Sequence, residues 1–148
     1  MTERSLVGQS AVVTGASSGI GEATARELAS AGANVALAAR REERLRSLAG
    51  NLREACGVEA LVVPTNVRDE DAVEALVDET VETFGGLDVL VNNVGVGRGS
   101  DVADMTTEEY RTMMAVNVDG CFFATRAALP FLREAGGTLV FVGSFAGK

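Results

Sequence analysis

Three glycines, at positions 15, 19 and 21, follow the short apolar run Ala11-Val12-Val13 and open an amphipathic stretch that begins near Ile20. A strand that feeds a helix through a turn nearly free of side chains makes a cradle for phosphate. Gly15 lets the chain turn sharply off the strand, Gly19 lets the backbone approach a diphosphate, and Gly21 lets the helix pack closely on the sheet. The unpaired N–H groups and the positive dipole end of that helix then face the anion. An ordinary glycine-rich loop can carry the same letters, so the cradle needs support from elsewhere in the chain.

Some support comes from the next strand candidate, which ends Ala38-Ala39-Arg40-Arg41. A protein that binds NAD sets a carboxylate about twenty residues past the glycines, to hold the ribose 2′-hydroxyl. Here no acid repels a 2′-phosphate, and Arg40 can grip one as a fork. The plain alternative, two arginines at a helix start, puts cations at the unfavourable end of a helix dipole. NADP is the expected cofactor, ahead of NAD.

Such residues need a scaffold, and the chain alternates as one would. Apolar runs at 10–14, 34–39, 59–65, 87–92 and 138–143 are short, continuous and rich in β-branched residues, the pattern of strands covered on both faces. Between them, Leu45, Leu48 and Leu52 recur within 41–54, and Val73, Leu76, Val77, Val81 and Phe84 form one stripe within 69–84. The longest helical stretch, 107–134, opens with a capping box in which Thr106 caps and Glu109 reaches back. Glycines at 32, 57, 85–86 and 136–137 mark helix ends. Right-handed crossovers then predict a single α/β domain over 1–148, a doubly wound parallel sheet of strand order 3-2-1-4-5. Its ligand belongs at the switch point beside the first strand.

Composition narrows the partners. A formal net charge of −8 at pH 7 disfavours nucleic acid and anionic membrane, which both call for a basic surface. No apolar run approaches the ~20 residues of a membrane span, and the opening Met-Thr-Glu-Arg lacks a signal-peptide core. Cys56 and Cys121 have no ligand spacing and the sequence has no histidine, so no metal site is expected. Both read as free thiols of a cytoplasmic protein. Twelve arginines stand against one lysine, Lys148, beside 21 acidic residues. High-salt adaptation and codon bias both give that balance.

Four motifs recur in order: Thr14-Gly15-Ala16-Ser17-Ser18-Gly19-Ile20-Gly21, Asn92-Asn93-Val94-Gly95, Val116-Asn117-Val118-Asp119-Gly120 and Val142-Gly143-Ser144. With them the chain resembles the short-chain dehydrogenase/reductase family along its whole length, and within it the oxoacyl-carrier-protein reductase type. The resemblance implies a cofactor site built from Gly15, Ser17, Ser18, Gly19, Ile20 and Gly21, with Ser17 touching the 2′-phosphate. It adds Asn93 on the adenosine side, with Gly95 in the same motif. Asn66-Val67 stands where many members carry Asp-Val, and the Asn66 carbonyl can accept from an adenine amino group as the acid does. A plain turn residue is the alternative there. Asn117 is a poor choice inside a helix, and apolar neighbours such as Met113, Val116 and Phe123 imply partial burial. In the family this asparagine distorts the helix and frees a carbonyl for a proton relay, and Ser144 would hydrogen-bond the substrate carbonyl oxygen.

One departure matters more than the matches. The family's Tyr-x-x-x-Lys helix, placed beyond the serine, is absent from the 148 residues. Tyr110 is the only tyrosine and precedes Asn117, and Lys148 follows Ser144 too closely to be the relay lysine. The expectation is the N-terminal part of a longer protein, lacking the C-terminal strands of the full fold and inactive alone. Helix 107–134 would then lie partly bare or pair in a homo-oligomer. Two functions stay open: an NADP-dependent oxidoreductase of a small-molecule carbonyl or alcohol, or a catalytically inactive NADP(H)-binding module or sensor. A methyltransferase on a related sheet is disfavoured, since its acidic ribose contact is missing.

Overall fold

The computed structural model describes residues 4–97 and 101–144; Lys148 lies outside them. Each apolar run becomes a strand: β1 (Ser10–Thr14), β2 (Asn34–Ala39), β3 (Ala60–Pro64), β4 (Val89–Asn92) and β5 (Thr138–Phe141). All neighbours are parallel, in the order β3-β2-β1-β4-β5. Val12 at the centre is in register with Ala36 on one side and Leu90 on the other.

Successive residues of β1 serve opposite faces of the sheet. Ala11 and Val13 join a core with Leu45, Leu48 and Leu52, whereas Val12 joins one with Val73, Leu76 and Val77. A strand buried on both sides has no polar face, which is why these runs show no alternation. Leu37 and Leu90 are wholly buried, and each such side chain contributes about 1.5–3 kcal/mol.

Helices α1 (Gly19–Ser30) and α2 (Glu42–Cys56) cover the first face; α3 (Glu70–Phe84) and α5 (Gly120–Ala135) cover the second. Asp69 caps α3 by accepting from the Ala72 amide at 3.3 Å. The capping box forms as the sequence predicts, at the start of α4 (Thr107–Met114): Glu109 accepts from the Thr106 amide at 2.9 Å, and Thr106 Oγ1 from the Glu109 amide at 3.1 Å.

The stretch 107–134 is not one uniform α-helix. Between α4 and α5 lies a π-helical turn, Ala115–Asp119, in which the Gly120 amide donates to the carbonyl of Ala115 instead of Val116. Beyond it the buried positions Gly120, Ala124 and Ala128 are small, so α5 lies close on the sheet. A Cβ at Gly120 would come within 3.0 Å of Val67 Cβ. Tyr110, Met114, Val118 and Phe122 are exposed along the outer side, the bare face expected of this stretch. The Arg126 guanidinium sits 4.9 Å above the Phe122 ring and pairs with Glu70, tying α5 to the start of α3.

Among the described residues no helix is long and apolar enough to cross a membrane. No group of three or more His, Cys, Asp or Glu among them could hold a metal ion.

Candidate functional site

The order β3-β2-β1-β4-β5 makes the connections leave β1 and β4 toward opposite faces, which opens a crevice at their carboxyl ends. Side chains at that point are locked together. The Asn93 amide donates to Thr14 Oγ1 at 3.0 Å, and Thr14 Oγ1 donates in turn to the Val91 carbonyl at 3.3 Å. Asn93 Nδ2 reaches across to the Gly15 carbonyl at 3.3 Å, and Asn92 Nδ2 bonds Thr125 Oγ1 at 3.2 Å. Thr14 is 2 % exposed, so this bridge between strands is dry and its loss would leave polar groups unmet.

Gly15 turns off β1 at φ +63°, in the left-handed region that favours glycine. Gly21 is required for a different reason. A Cβ there would overlap the Gly15 carbonyl oxygen and stand 2.5 Å from Asn93 Nδ2, so only glycine lets α1 rest on the turn. Ser18 occupies the N-cap of α1, yet its hydroxyl caps no amide. That hydroxyl accepts from Arg41 Nη2 at 3.0 Å instead, and Ser17 Oγ accepts from the same nitrogen at 3.1 Å. The first turn of α1 therefore keeps amides free of any capping side chain from Ser18, beside an arginine held over two hydroxyls.

These groups open onto a cavity of about 580 Å³. Gly15, Ser17 and Ser18 line it from the turn, Arg40 and Arg41 from the end of β2. Asn66, Val67 and Arg68 close it from the end of β3, and Asn93, Gly95 and Val96 from the end of β4. Thr112 and Val116 also line it. Among the described residues no carboxylate lines it, although the chain carries 21 acidic residues. The volume lies in the range of ligand clefts. Free helix-start amides, a glycine cradle, guanidinium groups and the absence of acids fit an anionic nucleotide.

Of the residues singled out from the sequence, Gly15, Ser17, Ser18, Arg40, Asn66, Val67, Asn93 and Gly95 line this cavity together. Gly19, Ile20 and Gly21 open α1 and are outside its lining, with Ile20 exposed. Asn117 and Ser144 are outside its lining. Asn117 faces the backbone of Val96: its Oδ1 accepts from the Val96 amide and its Nδ2 donates to the Val96 carbonyl, both at 2.8 Å. Ser144 follows the exposed end of β5. Asn66 Oδ1 accepts from the Arg68 amide at 3.1 Å, so this carbonyl already closes a local turn. Its second lone pair remains for another donor.

Three contributors went unrecognised in the sequence: Thr14, Arg41 and Arg68. Arg41 was legible only as half of a pair with Arg40, and it is Arg41 that reaches Ser17 and Ser18. In a separate small space that it shares with Thr14, Val67 and Val116, burial pushes the Cys121 thiol up from its ordinary value.

The family model of the short chain dehydrogenases matches residues 9–148. The chain belongs to that family. An uncharacterised oxidoreductase of Staphylococcus aureus (strain USA300) is 40 % identical over 138 residues, which cover 93 % of this chain and 58 % of the relative. The chain thus spans less than two thirds of the length of the curated relatives it resembles. An alcohol dehydrogenase of the archaeon Thermococcus sibiricus, solved with 5-hydroxy-NADP, superposes with a TM-score of 0.88 at 38 % identity, over 90 % of this chain and 57 % of that one. The L-sorbose reductase of Gluconobacter frateurii, solved with NADPH and L-sorbose, gives 0.91 at 34 % identity, over 97 % and 55 %.

Proposed function

We propose that this short-chain dehydrogenase binds NADP(H) in the cavity at the β1/β4 switch point and serves an oxidoreductase acting on a small-molecule carbonyl or alcohol. The observation that carries the reading is the Arg41 guanidinium held by Ser17 and Ser18 in a cavity that no acid among the described residues lines. A carboxylate at the end of β2 would favour a ribose hydroxyl; a guanidinium there favours a phosphomonoester. The NADP and NADPH in the solved relatives support the same choice.

When bound, the cofactor would supply hydride chemistry. The chain's own residues do the holding. The first turn of α1 offers amides to the diphosphate, with Gly15, Gly19 and Gly21 keeping side chains out of the way. Arg41 and Arg40, with Ser17 and Ser18, take the 2′-phosphate. Asn66-Val67 and Asn93 with Gly95 border the adenosine. Asn117 fixes the loop after β4 through Val96, and the Ser144 hydroxyl is assigned to the substrate oxygen. A positioned general acid typically contributes about 10²–10⁴ in rate, and the one tyrosine of the sequence, Tyr110, lies exposed on α4 ahead of Asn117. The second reading is an NADP(H)-binding module without catalysis.

Titration calorimetry with NADPH and NADH tests the binding claim. NADPH should bind more tightly, and Arg41→Ala should erase most of the difference. One charge-assisted bond contributes about 1.5–3 kcal/mol, or roughly 10- to 100-fold in affinity. Equal affinities, or tighter NADH, would refute the assignment. Turnover of any alcohol or ketone with NADP(H) by the same chain would decide against the non-catalytic reading.

A further inference from the structure

We infer that Arg68 is a third reader of the 2′-phosphate, acting from the end of β3 beside Arg40 and the Ser17–Ser18–Arg41 cluster. The inference rests on the NADP(H) reading above and goes one residue beyond it. Its ground is a local charge imbalance. The chain has a net charge of −8, yet among the described residues three arginines and no carboxylate line one cavity.

Elsewhere three of the arginines meet acids: Arg26 pairs with Glu22, Arg46 with Glu42 and Arg126 with Glu70. Arg68 has acids immediately beside it in the chain, but both are engaged. The Asp69 carboxylate accepts from the Ala72 amide at the start of α3, and Glu70 is taken by Arg126. Among the described residues Arg68 has no ion pair and no side-chain hydrogen bond. Its charge is left for something else.

The backbone aims that charge. Ala39 is in register with Pro64, and the Thr65 amide donates to the Ala39 carbonyl at 2.9 Å, so the chain ends carrying Arg40 and Arg68 leave the sheet side by side. The Arg68 amide is pinned by Asn66 Oδ1, and the Asp69 amide by the Asn66 carbonyl at 3.0 Å. The guanidinium therefore swings from a fixed base at the cavity wall. A phosphomonoester presents three strong acceptor oxygens and about −1.5 to −2 charges near pH 7, so a third guanidinium beside Arg40 and Arg41 has an oxygen to bind.

The test uses the adenosine half of each cofactor, 2′,5′-ADP and 5′-AMP, together with NADPH and NADH, titrated against the protein and its Arg68→Gln and Arg68→Lys variants. Arg68 is exposed, and melting temperatures close to the parent would show that neither change disturbs the fold. Arg68→Gln should weaken 2′,5′-ADP and NADPH by roughly 3- to 10-fold while leaving 5′-AMP and NADH within about twofold. Arg68→Lys should recover most of the loss. Salt should weaken 2′,5′-ADP binding less steeply in the Gln variant than in the parent. An equal loss for all four ligands would mean that Arg68 stacks on the adenine, and no loss would mean that it does not touch the ligand. Either overturns the inference while leaving the Arg41 assignment standing. If the parent shows no preference for 2′,5′-ADP over 5′-AMP, the NADP(H) reading itself fails and this inference with it.

Discussion

Replacing Asn117 with alanine should loosen the loop after β4 more than it weakens the helix. The side chain makes two amide hydrogen bonds to Val96, both 2.8 Å long. Each contributes about 1 kcal/mol net, so about 2 kcal/mol is at stake. Two effects reduce that figure. Val96 is 39 % exposed, so water can meet its backbone groups once the amide is gone. Alanine also suits a helix better than asparagine, by at most about 0.7 kcal/mol. The expected net loss is about 1 to 1.5 kcal/mol, or a drop of roughly 2–6 °C in melting temperature for a chain of this length. Hydrogen exchange at the Val96 amide reads the contact directly and should accelerate far more than exchange within α3. Asn117→Asp sharpens the case. Its carboxylate would set an oxygen against the Val96 carbonyl, and only the protonated acid can donate there. The aspartate variant should therefore be less stable than the alanine variant at pH 7 and recover part of the deficit as pH falls. Unchanged Val96 exchange in the alanine variant would refute the reasoning, because the loop after β4 would then owe nothing to this pair of bonds.

Other consequences are equally direct. Gly21→Ala should push α1 off the turn, costing about 1–3 kcal/mol in a denaturant melt, and should weaken diphosphate binding for NADPH and NADH alike. Thr14→Val keeps the shape of a buried side chain but strands the Asn93 amide; a loss of about 1–3 kcal/mol in chemical denaturation is expected, against little change if water reaches that amide. Because burial raises the Cys121 thiol above its ordinary value of about 9, its alkylation by iodoacetamide should rise only at more alkaline pH than in the unfolded chain. The sign follows: any stability carried by the neutral thiol is complete below the unfolded value and is lost as pH climbs through the folded one.

The sheet was legible because each strand is covered on both faces and so appears as an unbroken apolar run. All five runs became strands in the expected order, with ends trimmed by a residue or two, as at Glu59 and Thr65. The helical stretch 107–134 was legible in extent but not in its interior. A π-helical turn adds one residue to a turn, and apolar periodicity over so short a span does not register it. The visible sign was an asparagine where a helix former would serve better. Two side-chain assignments depended on local geometry that letters do not carry. Arg40 and Arg41 are indistinguishable as a pair, and which one meets the serines is set by the backbone where β2 gives way to α2. Asn66 has a carbonyl in the expected place, but an acceptor near a free backbone amide two residues on will take that amide.

The central position of β1 has a consequence for biosynthesis. Of the five strands it is made first, and both of its neighbours come later: the Ser10 amide finds its partner carboxylate on Asp88, 78 residues downstream. At about 5–20 residues per second a ribosome needs roughly 4 to 16 seconds to cover that distance. Throughout that interval Ala11-Val12-Val13 has an open backbone edge and apolar side chains on both sides, the state most prone to pairing with a stranger. A nascent chain of this design depends on chaperone cover, or on low crowding of its own copies, until β4 emerges.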